Sequence, residues 1–236
     1  MPGAPLLAAD NLTKTYGNTT ALAGISLTVR PGEAVAVMGA SGSGKTTLLH
    51  CLAGIVRPDT GSVRLARSGG SPVEITALDD DARSALRRTD FGFVFQQGLL
   101  IPELTAGENV ALALMLSGTP RQAAEQAASA ALAALGLAGM DGRRIGELSG
   151  GQAQRVAIAR AQVTGAGILF ADEPTGALDS RTSAEVMELL LRTVEGTGRS
   201  LVVITHDPGV ARWCGRVVTL ADGRIVSDTA AAGRAR

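Results

Sequence analysis

Gly39-Ala40-Ser41-Gly42-Ser43-Gly44-Lys45-Thr46 satisfies the pattern G-x-x-x-x-G-K-[ST] at every fixed position. Before it, Ala34-Val35-Ala36-Val37-Met38 is a short apolar run suited to a buried strand. After it, Thr46-Thr47-Leu48-Leu49-His50-Cys51-Leu52-Ala53 opens a helix. Strand, glycine loop and helix in this order separate a phosphate-cradling loop from a glycine-rich turn that matches by chance. The glycines let the backbone wrap around phosphate oxygens where a Cβ would obstruct the approach or the required φ. The loop amides and the helix N-terminus then supply positive potential to the anion. Lys45 reaches the β- and γ-phosphates and Thr46 binds Mg²⁺, so the stretch implies a nucleoside triphosphate as ligand.

Outward from this loop, bulk composition narrows the class. The chain has 236 residues, room for one substantial domain or a domain with a subdomain. Its 22 basic and 22 acidic residues balance, so no surface for nucleic acid or anionic membrane is indicated. The longest purely apolar run, Val110 to Leu116, falls far short of the ~20 residues needed to cross a bilayer. Met1-Pro2-Gly3-Ala4-Pro5 lacks a charged segment followed by an apolar core, so no signal peptide is expected. Cys51 and Cys214 show no metal-ligand spacing and read as free thiols in a reducing cytosol.

Short apolar runs alternate with helix-like stretches. Ile168-Leu169-Phe170-Ala171 is followed by Asp172-Glu173, and Leu201-Val202-Val203-Ile204 by Thr205-His206-Asp207. This pattern predicts a parallel sheet whose carboxyl edge carries the chemistry. Residues 6 to 30 hold short β-like runs with a turn at Tyr16-Gly17-Asn18. Val217 to Leu220, the turn Ala221-Asp222-Gly223-Arg224 and Ile225-Val226 predict a hairpin. From Thr105 to Leu137 the composition turns to Ala and Leu. There Ala124, Ala128, Ala131 and Leu135 recur at helical spacing, and Gly136 fits the position just past a helix end.

Two further clusters carry chemistry. Asp172, at the end of a buried strand, suits a carboxylate holding Mg²⁺ through water, and Glu173 could orient or deprotonate an attacking water. In Leu148-Ser149-Gly150-Gly151-Gln152, Ser149 is a good N-cap for the helix that follows, with Val156, Ala159 and Val163 on one face. A serine, two glycines and a helix N-terminus make a second anion site, although the same residues could serve as an ordinary cap.

Together with the glycine loop, this segment resembles the signature sequence of ATP-binding-cassette (ABC) ATPases. Five further elements fall in that family's order. Tyr16, in Lys14-Thr15-Tyr16-Gly17, matches the aromatic that stacks on adenine. Gln96, in Phe93-Val94-Phe95-Gln96, matches the glutamine that contacts Mg²⁺ and senses the helical subdomain. Asp172 and Glu173 match the acidic pair. Ala177-Leu178-Asp179 matches a loop crossing the dimer interface, and His206 matches the switch histidine at the γ-phosphate. Singly these residues have plainer roles, a turn aromatic, a surface amide, a strand-end histidine or a cap for Ser180 onward. Jointly and in order they are not independent accidents.

The resemblance covers about Leu6 to Val226. Gly92-Phe93-Val94-Phe95-Gln96-Gln97, Gly107-Glu108-Asn109-Val110 and Ala171 to Ser180 look like the branch serving macrolide-export, lipoprotein-release and cell-division permeases. Gly98-Leu99-Leu100-Ile101-Pro102 departs from it, standing where that branch usually has Phe-Asn-Leu-Leu-Pro, beside the groove that receives the permease. Ala40, Thr46 and Ala153 replace commoner but chemically compatible residues.

The resemblance implies an α/β fold: a P-loop NTPase core with a parallel sheet, an N-terminal antiparallel β subdomain and an inserted α-helical subdomain. Residues 1–95 and 149–228 would form the core with its β subdomain, 97–148 the helical subdomain, and 229–236 a flexible tail. It implies a head-to-tail homodimer formed on ATP and Mg²⁺. Each composite site would take Tyr16, Gly39, Ala40, Ser41, Gly42, Ser43, Gly44, Lys45, Thr46, Thr47, Gln96, Asp172, Glu173 and His206 from one chain. Ser149, Gly150, Gly151, Gln152 and Asp179 would come from the other. Lys45, Glu173 and His206 would be catalytic, and Thr46, Gln96 and Asp172 would hold the metal. The implied partner is an integral membrane permease with a large extracytoplasmic domain, at the cytoplasmic face of the membrane. The alternative is a soluble, non-transport ABC ATPase. A chromosome-maintenance member needs a coiled-coil insertion or DNA-binding modules, yet residues 47 to 148 show no sustained heptads and no basic block. A translation-factor member needs two cassettes, and a module that only senses ATP would not need Glu173 and His206.

Overall fold

The computed structural model describes residues 4–67, 71–96 and 98–229. Gln97 and, beyond Thr229, the expected tail lie outside them. In chain order the elements begin with β1 (Leu7–Tyr16), β2 (Thr19–Val29), β3 (Ala34–Met38), α1 (Lys45–Leu52), β4 (Thr60–Leu65), β5 (Val73–Glu74) and α2 (Asp80–Thr89). There follow β6 (Phe91–Phe95), α3 (Ala106–Met115), α4 (Arg121–Ala134), α5 (Gly150–Gln162), β7 (Ile168–Asp172) and α6 (Ser180–Arg192). The chain then runs through β8 (Ser200–Thr205), α7 (Pro208–Ala211), β9 (Arg216–Ala221) and β10 (Arg224–Asp228). It divides into two compact units, Met1–Arg87 with Val202–Arg236, and Arg88–Leu201.

In the first unit an antiparallel sheet is ordered β2-β1-β4-β5. Leu7, Ala9 and Leu12 of β1 and Leu22, Ile25, Leu27 and Val29 of β2 are buried, while the residues between them face outward. The alternation slips at Asn11, whose left-handed backbone coincides with a register shift between Ala9 and Leu12. The short β-like runs expected over 6 to 30 are therefore two long strands joined at Gly17-Asn18. The same unit places β3 parallel to β9, and β9 antiparallel to β10 across Asp222-Gly223. Both turn residues have positive φ (49° and 70°), the primed geometry that matches strand twist, so the expected hairpin is present. Val35, Ala36 and Val37 of β3 are wholly buried. Leu48, Leu49 and Leu52 of α1 are buried as well, each contributing about 1.5–3 kcal/mol by leaving water.

In the second unit β6 and β7 pair in parallel, with Phe91 opposite Ile168 and Phe95 opposite Asp172. Ile168 to Ala171 are buried without alternation, as a strand covered on both faces requires. Phe170 packs between Phe91 (5.3 Å between ring centroids) and Phe93 (5.7 Å). A Cβ at Gly92 would strike the Ala161 carbonyl, so glycine sets how closely α5 lies on β6. α4 buries Ala124, Ala128 and Leu132. Its inward stripe runs through Leu132 rather than Ala131, which is half-buried, and continues to the buried C-cap Leu135 before the expected Gly136 (φ 75°). Among the described residues no helix is long and apolar enough to cross a membrane.

Candidate nucleotide site

The first unit assembles the glycine loop, Tyr16 and His206. β3 leads into the loop and β8, its neighbour in the sheet, leads into His206, which is exposed. The loop turns into α1 at Gly44, whose φ of 101° disfavours any L side chain and whose Cβ would meet the Ala21 carbonyl of β2. A Cβ at Gly39 would meet the Leu220 carbonyl and Ser43 Oγ, whereas Gly42 has open space around it. Glycine is thus fixed at two positions by close backbone approach and at Gly42 by its φ of 79°. Lys45 is nearly buried and its Nζ donates to the carbonyls of Gly39 and Ala40, 2.8 Å each. The ammonium therefore sits folded across the loop. Ser43 Oγ is buried in the loop with no hydrogen-bond partner among the described residues. Ala40, Ser41, Gly42 and Thr46 are exposed and Thr47 half-buried.

A cradle closed to Cβ atoms, an orphaned hydroxyl and the first amides of an eight-residue helix fit a triphosphate. Tyr16 ends β1 half-exposed, with Lys14 Nζ 5.6 Å from its ring centroid. That ammonium is held by Asp59 (2.7 Å), and hydrogen bonds from Lys14 and the Thr15 amide keep the Asp59 carboxyl below the usual carboxylate range.

The second unit holds Gln96, the acidic pair and the signature residues. Asp172 ends β7, and Glu173 follows with φ 47°, a left-handed conformation uncommon for glutamate. The Gln96 side chain lies over Gly176, where a Cβ would come within 2.8 Å of its Nε2. Ser149 caps α5: its Oγ accepts from the Gln152 amide (3.3 Å), and Gln152 Oε1 accepts from the Ser149 amide (2.9 Å). Asp179 caps α6, accepting from the amides of Arg181 and Thr182 and from the Thr182 hydroxyl. The helix-cap role weighed for Asp179 is thus real. Its carboxyl is held low, first by the Thr182 amide and hydroxyl. Ser149, Gly150, Gln152 and Asp179 line one open pocket of about 400 Å³. Gly150 meets only an ordinary contact there (3.5 Å to Leu178), while a Cβ at Gly151 would press on Thr182 at 2.6 Å.

The metal donors expected, Thr46, Gln96 and Asp172, comprise one carboxylate and two neutral oxygens. That hard, water-retaining set suits Mg²⁺ better than Zn²⁺. No cluster of three or more His, Cys, Asp or Glu residues that could hold a metal occurs among the described residues.

Sequence reasoning missed two residues of this unit, Gln154 and Arg160, both on α5. Gln154 had a readable signal: it shares the buried face with Ala157, Ile158 and Ala161, where an apolar residue is expected. Arg160 had none, since a basic residue in a helix's last turn is ordinary. Cys51 and Cys214 are buried free thiols, each pushed up to about 11 by burial.

A family profile described as "ABC transporter" matches residues 22–176. The lipoprotein-releasing system ATP-binding protein LolD of Geobacter metallireducens is 47% identical over 227 residues, covering 94% of this chain and 99% of that protein. The pyoverdine export ATP-binding/permease protein PvdT of Pseudomonas entomophila is 46% identical over 233 residues, 97% of this chain but 35% of that protein. The chain thus spans about a third of the length of several curated relatives it matches. Among solved structures, the dimeric, post-hydrolysis state of the ATP-binding cassette MJ0796 bound to ADP and Pi superposes with TM-score 0.85 at 39% identity. The match covers 94% of this chain and 97% of that one.

Proposed function

This chain belongs to the ABC transporter family, and from that membership we propose that it is an ATPase subunit that dimerises head to tail on ATP and drives a membrane permease. The observation that carries this reading is the open pocket at the start of α5. There Ser149 and Gly150 stand exposed beside Asp179, and no packing among the described residues requires glycine at position 150. A surface left small and amide-rich for no internal reason suits a phosphate brought by a second copy. The full-length match to LolD and the dimeric MJ0796 cassette support the same arrangement.

In this reading Tyr16 stacks on the adenine and the amides from Gly39 to Thr47 surround the phosphates. Lys45 leaves the Gly39 and Ala40 carbonyls, which offer it only neutral partners, for the more negative β- and γ-oxygens. Thr46, Gln96 and Asp172 hold Mg²⁺, which supplies charge neutralisation along the phosphates. Glu173 orients the attacking water and His206 meets the γ-phosphate. Ser149, Gly150, Gly151, Gln152 and Asp179 close the site from the opposite chain. ATP favours the closed dimer because it contacts both chains only there, and hydrolysis removes that preference. Residues 97–148 act as the helical subdomain facing the permease, with the chain held at the cytoplasmic face of the membrane. The relatives named for export and lipoprotein release support a permease partner, and the branch that the sequence resembles implies one with a large extracytoplasmic domain.

Glu173→Gln should bind ATP, hydrolyse it very slowly and accumulate as a dimer in light scattering. Affinity purification of that variant from detergent-solubilised membranes should recover a stoichiometric integral membrane protein. Near-native turnover in Glu173→Gln removes the role given to Glu173, and a preparation free of membrane protein transfers the reading to a soluble ABC ATPase.

A further inference from the structure

We infer that Gln154 and Arg160 are positioning residues that hang the Gln96 segment on α5, so that Gln96 and Ser149 move as one body. Gln154 Nε2 donates to the Phe95 carbonyl (3.2 Å), one residue before Gln96, and to the Pro174 carbonyl (2.7 Å), one residue after Glu173. Arg160 reaches the other side of Gln96: Nη1 donates to the Leu99 carbonyl and Nη2 to that of Gly98, both at 2.7 Å. The segment carrying Gln96 is therefore fastened to one helix at both ends, and the loop carrying Glu173 shares the first fastening.

Ser149 caps the N-terminus of that helix. An α-helix transmits displacement along its axis, and the eleven steps from Ser149 to Arg160 span about 16 Å. Plainer roles fit less well. An arginine that merely complemented its own helix dipole would bond the last carbonyls of α5, and Arg160 donates its fork to a different segment. Those carbonyls also belong to consecutive left-handed residues, Gly98 (φ 67°) and Leu99 (φ 44°). Leucine is disfavoured there, so the conformation depends on the two charged hydrogen bonds that hold it. Gln154 is 4% exposed, and its Nε2 donates to the two loops that flank the proposed chemistry.

This inference rests on the reading above, and the test separates the two. In Glu173→Gln, ATP should dimerise the chain and slow amide hydrogen exchange in the peptide Phe93–Ile101. Adding Arg160→Ala or Gln154→Glu should leave the ATP-induced dimer intact by light scattering but abolish that slowing. Exchange there should be about tenfold faster, the loss of one to two hydrogen bonds to a buried or charged donor. In the chain with Glu173 intact, the same substitutions should lower kcat several-fold with KM for ATP nearly unchanged, and Arg160→Lys should recover part of it. Should Arg160→Ala prove insoluble, Arg160→Lys and Gln154→Glu carry the comparison. Variants that dimerise, slow exchange and turn over as their parents do would overturn the tether alone. A Glu173→Gln parent that stays monomeric with ATP would overturn the dimer reading instead.

Discussion

At the residue scale, the two glycines after Ser149 look interchangeable in sequence and are not so in space. Gly151 lies against Thr182, a side chain already fixed by its bond to Asp179, so a methyl at 2.6 Å cannot be cheaply accommodated. Gly150 has only an ordinary contact, and alanine suits a first helical turn better than glycine. Gly151→Ala should therefore cost about 1–3 kcal/mol of stability by overpacking. Gly150→Ala should unfold at the parent's denaturant midpoint or slightly above it, yet weaken ATP-dependent dimerisation, because its Cβ projects where the opposite chain's phosphate would lie. Denaturant midpoints with light scattering in ATP separate the two effects, and equal losses of stability would refute the distinction. Glu173 makes the related point for backbone: a left-handed glutamate directly after a buried strand is strain kept at the position proposed to orient the water.

At the element scale, the cap of α6 makes part of its stability depend on pH. The Asp179 carboxyl is held below its ordinary value by the Thr182 amide and hydroxyl and then the Arg181 amide. A depressed folded value means the cap's contribution is complete above the ordinary carboxylate pKa of about 3.9 and disappears as pH falls through the folded value. The melting temperature of Asp179→Ala should thus lie below the parent's at pH 7, and the gap should narrow below about pH 3.9. Asp179→Asn, whose amide oxygen still accepts, should start from a smaller gap at pH 7 that narrows over the same window, because the titrating group is the parent's. A gap unchanged across that window would show that charge is irrelevant to the cap. In α4, Leu132 is wholly buried while Ala131 is not, so Leu132→Ala should cost about 2–5 kcal/mol and Ala131→Ser under about 0.5 kcal/mol in urea unfolding. The same helix shows what sequence conveys and what it does not. Its period and its end before Gly136 were readable, but which of residues 131 and 132 turns inward was not, because both lie at helical spacing from Ala128. The glycine loop, Ser149 and the acidic pair were legible because phosphate chemistry demands particular residue types at fixed spacing. Gln154 showed only as a polar residue on an otherwise apolar face and Arg160 not at all, because the partners of both are backbone carbonyls 20 to 62 positions away. Any residue supplies a carbonyl, so no pairing in the sequence marks them.

At the scale of the whole molecule, the decisive question is whether one chain or two complete the hydrolytic site, and substitutions in separate chains can answer it. Lys45 belongs to the loop of the first unit and Ser149 to the N-terminus of α5 in the second. Lys45→Ala removes the ammonium proposed to meet the phosphates, and Ser149→Arg blocks the pocket at α5 with a large cation. Each variant alone should hydrolyse almost no ATP, whichever arrangement holds. Mixed, they differ. If each site joins the loop of one chain to α5 of its partner, the heterodimer pairs the intact loop of Ser149→Arg with the intact α5 of Lys45→Ala. One complete site then returns. An isologous dimer exchanging freely forms that heterodimer in half of its pairs, so an equimolar mixture should recover roughly a quarter of parental turnover if a single site fires alone. If Lys45 and Ser149 of the same chain met over one nucleotide, no mixture would contain an intact site and turnover would stay at the level of the separate variants. Recovery that appears only after mixing and rises with total chain concentration would mean that association itself assembles the catalyst. ATP would then act as both the substrate and the ligand that holds the two copies together, and its hydrolysis would release them.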